Sequence, residues 1–68
     1  MFNKKFGLQL KLQREKLDIS QSELARICKK DRQYIHRIEN GSISPTFFTV
    51  SVICKMLNIK VENLLPKE

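Results

Sequence analysis

Five basic side chains, Arg26, Lys29, Lys30, Arg32 and Arg37, share a short stretch of chain with one acid, Asp31. A guanidinium fork matches the paired acceptors on the major-groove edge of guanine, and an amide such as that of Gln33 matches the donor and acceptor of adenine. Arg32, Gln33 and Arg37 fall in the first two turns of a predicted helix whose inward residues, Ile35 and Ile38, are apolar, so the three polar side chains point elsewhere. The free amides at the start of such a helix also suit a phosphate oxygen. Charge alone would read as the solvated faces of two short helices. The order guanidinium, amide, guanidinium on a helix with an apolar back points instead to duplex nucleic acid.

The remaining residues offer little other chemistry. Cys28 and Cys54 form no C-x-x-C pair and His36 is the one histidine, so no tetrahedral zinc set is expected and His36 receives no role. Two glycines cannot build a phosphate-cradling loop, and no Ser-His-acid set, Cys-His set or concentrated carboxylate pair can be drawn. The expectation is a protein that is not an enzyme, with no cofactor, no metal and no small-molecule ligand.

The elements that must position the basic side chains follow from apolar spacing and capping residues. Phe6, Leu10 and Leu17, with Arg14 between the last two, mark one face of a first helix from about Asn3 to Lys16, with Gly7 inside it at modest cost. Ser20-Gln21-Ser22-Glu23 is a capping box opening a second helix, about Gln21 to Cys28, with Leu24, Ile27 and Cys28 inward. Asp31 caps a third helix from Arg32 to about Asn40, and Gly41 ends it by accepting a left-handed backbone. Ser42 to Pro45 is a loop. Thr46 or Ser44 caps a fourth helix that reaches Leu57, with Asn58 closing it, and a last short helix holds Val61, Leu64 and Leu65 until Pro66 stops it. The fold class is all-α, a compact five-helix arrangement over residues 1–68 as a single domain.

At 68 residues, with a net charge of +6 and a pI near 9.7, the chain buries a thin core and favours a polyanionic partner. The uncharged stretch from Gly41 to Cys54 is interrupted by Ser, Thr and Pro and is too short to span a bilayer. No apolar run follows the charged start, so a secretory leader is not expected, and a reducing cytoplasm with both thiols free is.

Gln21-Ser22-Glu23-Leu24-Ala25 followed by Arg32-Gln33-Tyr34-Ile35-His36-Arg37-Ile38-Glu39-Asn40-Gly41 resembles the helix-turn-helix of the Cro and phage-repressor family, also called XRE. Pro45, Asn58-Ile59 and Leu64-Leu65 extend the resemblance over nearly the whole chain. It implies a lambda-repressor-like fold with the helix-turn-helix at about residues 21–40, a third helix in the major groove and a regulator of transcription. Carried over by position, Arg32, Gln33 and Arg37 face base edges and Gln21 contacts a phosphate. Tyr34 has three possible roles: packing on the turn, a phosphate contact through its hydroxyl, or an edge against a thymine methyl. Asn40 is a backbone-contacting position or a helix cap. Arg14 and Glu39 match an ion pair that joins the first helix to the end of the third. Ala25 is small where the second and third helices cross. The sequence departs from the family at Lys29 and Lys30, where a Gly and an apolar residue are usual. A left-handed Lys29 costs about 1 kcal/mol, and Lys30 then lies toward the phosphates. Gln13 stands where the family more often has an apolar residue. The Asp31-Arg32-x-Tyr34-Ile35 opening leans toward the controller proteins of restriction-modification operons.

The same fold also serves protein-interaction modules such as antitoxins and regulator subunits. These wrap their partner with an added segment, and only Pro66-Lys67-Glu68 follow the last predicted helix. A basic amphipathic membrane binder is a weaker reading, because the charge already sits on a motif with its own explanation. In the fourth helix Phe47, Val50, Ile53, Cys54 and Leu57 would fill one face, leaving Phe48, Val52 and Met56 as a second apolar stripe. Either that stripe packs on Val61, Leu64 and Leu65, or it is the contact of a symmetric homodimer that reads an inverted-repeat operator on double-stranded DNA.

Overall fold

The structure, a computed structural model, describes residues 2–64. Among these it forms four α-helices, α1 (Phe2–Lys16), α2 (Gln21–Ile27), α3 (Arg32–Glu39) and α4 (Phe47–Leu57), then one 3-10 turn, Val61–Asn63. The fifth helix expected from the sequence is therefore only this turn. Three residues between Lys60 and Leu64 close two i to i+3 bonds, from the Asn63 amide to the Lys60 carbonyl and from the Leu64 amide to the Val61 carbonyl, both 2.9 Å, too few for an α-helical turn. Leu64 is buried but Val61 is exposed. The expectations for Leu65 and Pro66 lie outside the described residues.

Each of α2, α3 and α4 starts at a side-chain cap. Ser20 accepts from the Glu23 amide at 3.0 Å, Asp31 from the Tyr34 amide at 2.8 Å and Thr46 from the Thr49 amide at 3.1 Å, each relieving one amide that the helix itself cannot pair. Thr46, and not Ser44, caps α4; Ser44 instead donates to the Asn3 side chain at 2.9 Å, tying the start of α1 to the loop before α4. Asp18, Lys29, Gly41 and Asn58 carry positive φ, and each stands at the end of a helix, where the left-handed backbone turns the chain.

Phe6, Leu10, Leu24, Ala25, Cys28, Ile35, Ile38, Ile53 and Leu64 form the core. Three expected core positions are corrected: Ile27, at the end of α2, is only half-buried and stands outside the core, and Leu17 and Phe47 are exposed. Leu17 is 44% exposed, because α1 ends at Lys16 and the left-handed Asp18 turns the chain, so Ile19 packs on the core in its place. Phe47 is 84% exposed. The buried residues of α4 are Thr49 and Ile53, and Phe47 lies roughly 200° around the helix from Thr49. Gly7 has a role that its helix alone does not reveal. A methyl group there would run into the Ile38 carbonyl oxygen and lie 2.5 Å from that of Glu39, so the missing side chain lets α1 lie directly on the end of α3.

Candidate nucleic-acid interface

The third helix is fixed from behind and open in front. Ile35 and Ile38 are fully buried and Glu39 is buried with them, while Arg32, Gln33, His36 and Arg37 are exposed. The helical period makes these two sets opposite faces of one short rod. The turn before it carries Lys29 at φ 58°. Its amide donates to the Arg26 carbonyl at 3.2 Å and the Lys30 amide to that of Ala25 at 2.8 Å. This pair of bonds closes α2 without the glycine usual at such a site. Ala25 is buried in the same core as Ile35 and Ile38.

Lys30 is exposed, and its ammonium lies 5.1 Å from the centroid of the Tyr34 ring, a separation at which cation and ring attract. The Tyr34 hydroxyl donates to Thr49 Oγ1 at 3.3 Å, and Thr46 donates to the same oxygen at 3.0 Å. Tyr34 is half-buried against the core, with Lys30 of the turn over its ring. Asn40 is the cap residue of α3, and its side-chain oxygen accepts from the amide and hydroxyl of Ser42.

One carboxylate gathers α1, α2 and α3. Arg14 Nε donates to Glu39 Oε2 at 2.7 Å and a second guanidinium nitrogen to Oε1 at 3.2 Å. The third nitrogen donates to the Ile19 carbonyl at 2.8 Å, on the chain entering α2. Gln21 Nε2 then donates to Glu39 Oε1 at 3.0 Å. The hydrogen bond to Glu39 holds the Arg14 guanidinium above its ordinary pKa, with burial opposing it. Two charges are accepted in the core because each is paired and hydrogen-bonded. Gln21, expected at a phosphate, is half-buried, and its amide nitrogen donates to Glu39. That bond joins residues with no common local pattern, so no sequence signal could have found it. The Thr46-x-x-Thr49 spacing is a local cap that could have placed Thr49.

Among the side chains expected at a second-copy contact, Phe48 is 76% and Met56 54% exposed. Val52 is half-buried and packs against the core. Phe47 is exposed as well and lines an open depression with Cys54, Ile59 and Val61. Burial raises the pKa of Cys28, with Lys30 opposing the rise, and burial also raises that of Cys54. Both cysteines are free. Among the described residues no group of three or more His, Cys, Asp or Glu could hold a metal ion, and no helix is long and apolar enough to cross a membrane.

A family model described as helix-turn-helix matches residues 10–64. No curated protein sequence matches the chain significantly. Among solved structures, the restriction-modification controller protein C.AhdI from Aeromonas hydrophila is similar at 27% identity and TM-score 0.86 over 91% of this chain and 90% of that one. The clp gene regulator ClgR from C. glutamicum is similar at 19% identity and TM-score 0.89, covering 94% of this chain and 83% of that one. The iron(II) form of HppE is similar at 22% identity and TM-score 0.89 over 97% of this chain, which spans only 35% of HppE. The last two likenesses concern the fold alone, and neither carries a reaction to this chain. Residues 10–64 hold α2, the turn at Lys29, α3 and the core that backs them, and on that match the chain belongs to the helix-turn-helix family of the XRE, or Cro and phage-repressor, type.

Proposed function

We propose that this protein is a regulator of transcription that binds double-stranded DNA sequence-specifically, with α3 in the major groove and Arg32, Gln33 and Arg37 against base edges. The observation that carries this reading is the opposition of faces on α3, an exposed row of two guanidiniums and an amide on a helix locked by Ile35, Ile38 and Glu39. Guanidinium and amide groups discriminate bases only when the backbone behind them is held in place. Lys30 supplies charge toward a phosphate from its seat on Tyr34, and Asn40 lies at the far end of the same helix. The likeness to C.AhdI, itself a restriction-modification controller protein, supports a controller-like role.

A homodimer is the second part of the proposal. Phe48 and Met56, two of the three residues of the expected stripe, leave apolar surface exposed on α4, and a symmetric contact through them would bring two copies of α3 to half-sites of an inverted repeat roughly 34 Å apart. The same exposed face is what an antitoxin-like interaction module would offer, and the stoichiometry on DNA separates the two. Selection of bound sequences from random duplexes, followed by binding at several salt concentrations, tests the whole reading. Arg32→Ala or Arg37→Ala should lose about 1–3 kcal/mol on the selected operator and flatten the preference at one base pair. Lys30→Ala should weaken binding on every sequence and lower the salt slope by about one. Equal losses on operator and random DNA for both arginines would overturn the base contacts.

A further inference from the structure

From the network around Glu39 we infer that Gln21 is a positioning residue for the recognition helix, acting through Glu39 and not through a phosphate. The inference rests on the DNA-binding reading above and deepens it. Gln21 is the first residue of α2 and Glu39 the last of α3. The bond from Gln21 Nε2 to Glu39 Oε1 at 3.0 Å therefore links the start of one helix to the end of the other. Arg14 binds both oxygens of the same carboxylate and also the Ile19 carbonyl just before the Ser20 cap. The entrance to α2 is consequently held on both sides of Ser20, by Arg14 before it and by Gln21 after it.

The charge balance explains why the amide matters. Glu39 Oε2 has the shorter bond to Arg14, 2.7 Å, and Oε1 the longer, 3.2 Å, so Oε1 has room for a second donor. An amide fills it without adding a second cation or a second carboxylate to a buried pair, and a hydrogen bond to a charged acceptor is stronger than one to a neutral acceptor. Apart from the Arg14 bridge, which reaches Ile19 ahead of α2 and not α2 itself, the packing of α2 on α3 rests on core side chains such as Ala25, Ile35 and Ile38, whose apolar contacts have no direction. The Gln21 bond adds, at the end remote from the turn, a directed constraint from α2 itself on the rotation of α3. Rotation of a recognition helix displaces side chains reaching for base edges more than those resting on phosphates, because base contacts require alignment of several hydrogen bonds at once.

The test is Gln21→Met, which keeps the side-chain length and removes the donor, with Gln21→Glu as a second variant that sets a carboxylate against Glu39. Binding of the intact protein is measured on the selected operator and on random duplex at two salt concentrations, below the melting transition of each variant. Gln21→Met should lose about tenfold on the operator and little on random DNA, with the salt slope unchanged, and Gln21→Glu should lose more of the same preference. Equal loss on both duplexes would assign Gln21 to phosphate and overturn the inference. A lowered melting temperature with the operator preference intact would make the bond merely structural and overturn it also. Failure of the unsubstituted protein to prefer any duplex would instead overturn the DNA-binding reading itself, and is told apart because it precedes any substitution.

Discussion

Around the end of α3 a carboxylate, a guanidinium and an amide join three helices, and Leu24, Ala25, Ile35 and Ile38 beside them are closed off from water. Along α4 only Thr49 and Ile53 are buried, while Phe47, Phe48 and Met56 stand in solvent. Burying a Phe side chain contributes about 1.5–3 kcal/mol. A chain of this size has a total stability of only about 3–10 kcal/mol. Leaving two such side chains unused is a large fraction of that total. The outer face of α3 is polar, whereas apolar side chains stand in solvent on α1, at Leu8 and Leu12, and in larger measure on α4, at Phe47, Phe48 and Met56.

The largest effect should come from the ion pair. Arg14→Met or Glu39→Gln leaves the other member buried without its partner, at a cost of about 3–5 kcal/mol each. The double variant should lose less than the sum, because neither residue is then stranded. Urea denaturation of the four proteins checks this, and small additive losses would place the pair on the surface and blur the contrast between the two regions.

Next in size, Ile38→Ala should cost about 2–5 kcal/mol by leaving a cavity between α1, α2 and α3. Phe47→Ala, measured at concentrations low enough to keep single copies, should change stability by no more than about 0.5 kcal/mol. Comparable losses would show that α4 is as much a part of the single-chain core as α3. Phe48→Glu should likewise leave the single chain stable, yet weaken self-association by tenfold or more, about 1.4 kcal/mol. Sedimentation and the stoichiometry on operator DNA read this out, and a monomer in both before any substitution ends the dimer proposal.

The smallest effect concerns pH. Burial raises both thiol pKa values, so the folded chain holds these protons more tightly than the unfolded one. The resulting stabilisation is fully present below the unfolded thiol value of about 8.5 and is lost as pH rises through the folded values. Between neutral and alkaline pH the melting temperature should fall further in the natural chain than in Cys28→Ala/Cys54→Ala. Parallel curves would show that neither thiol contributes.

Much of this architecture is written in local sequence. Ser20, Asp31 and Thr46 cap helices because a hydroxyl or carboxylate three residues ahead of a free amide needs only its own turn to reach it. Gly41 and Asn58 end helices because they tolerate the left-handed backbone. The apolar backs of α2 and α3 follow from three- and four-residue spacing, and the exposed row of Arg32, Gln33 and Arg37 is what that spacing leaves over. The likeness to XRE proteins was legible in the same segments.

Other features depend on where elements meet. Gly7 reads as a weak point of a helix until the carbonyls of Ile38 and Glu39 are set against it. Phe47 fits an inward pattern within α4, and only the face that α4 turns to the core leaves it in water. Val61 to Leu65 carry helical spacing, yet too few residues separate Lys60 from the buried Leu64 for more than one 3-10 turn. Gln21 and Glu39 stand 18 residues apart and Arg14 and Glu39 stand 25 apart. Spacing and capping act over one turn and are settled by the chain itself. A crossing angle, a contact between helix ends and the side of a helix left bare are settled only when separate helices share one core, because packing acts between surfaces that the order of residues does not bring together.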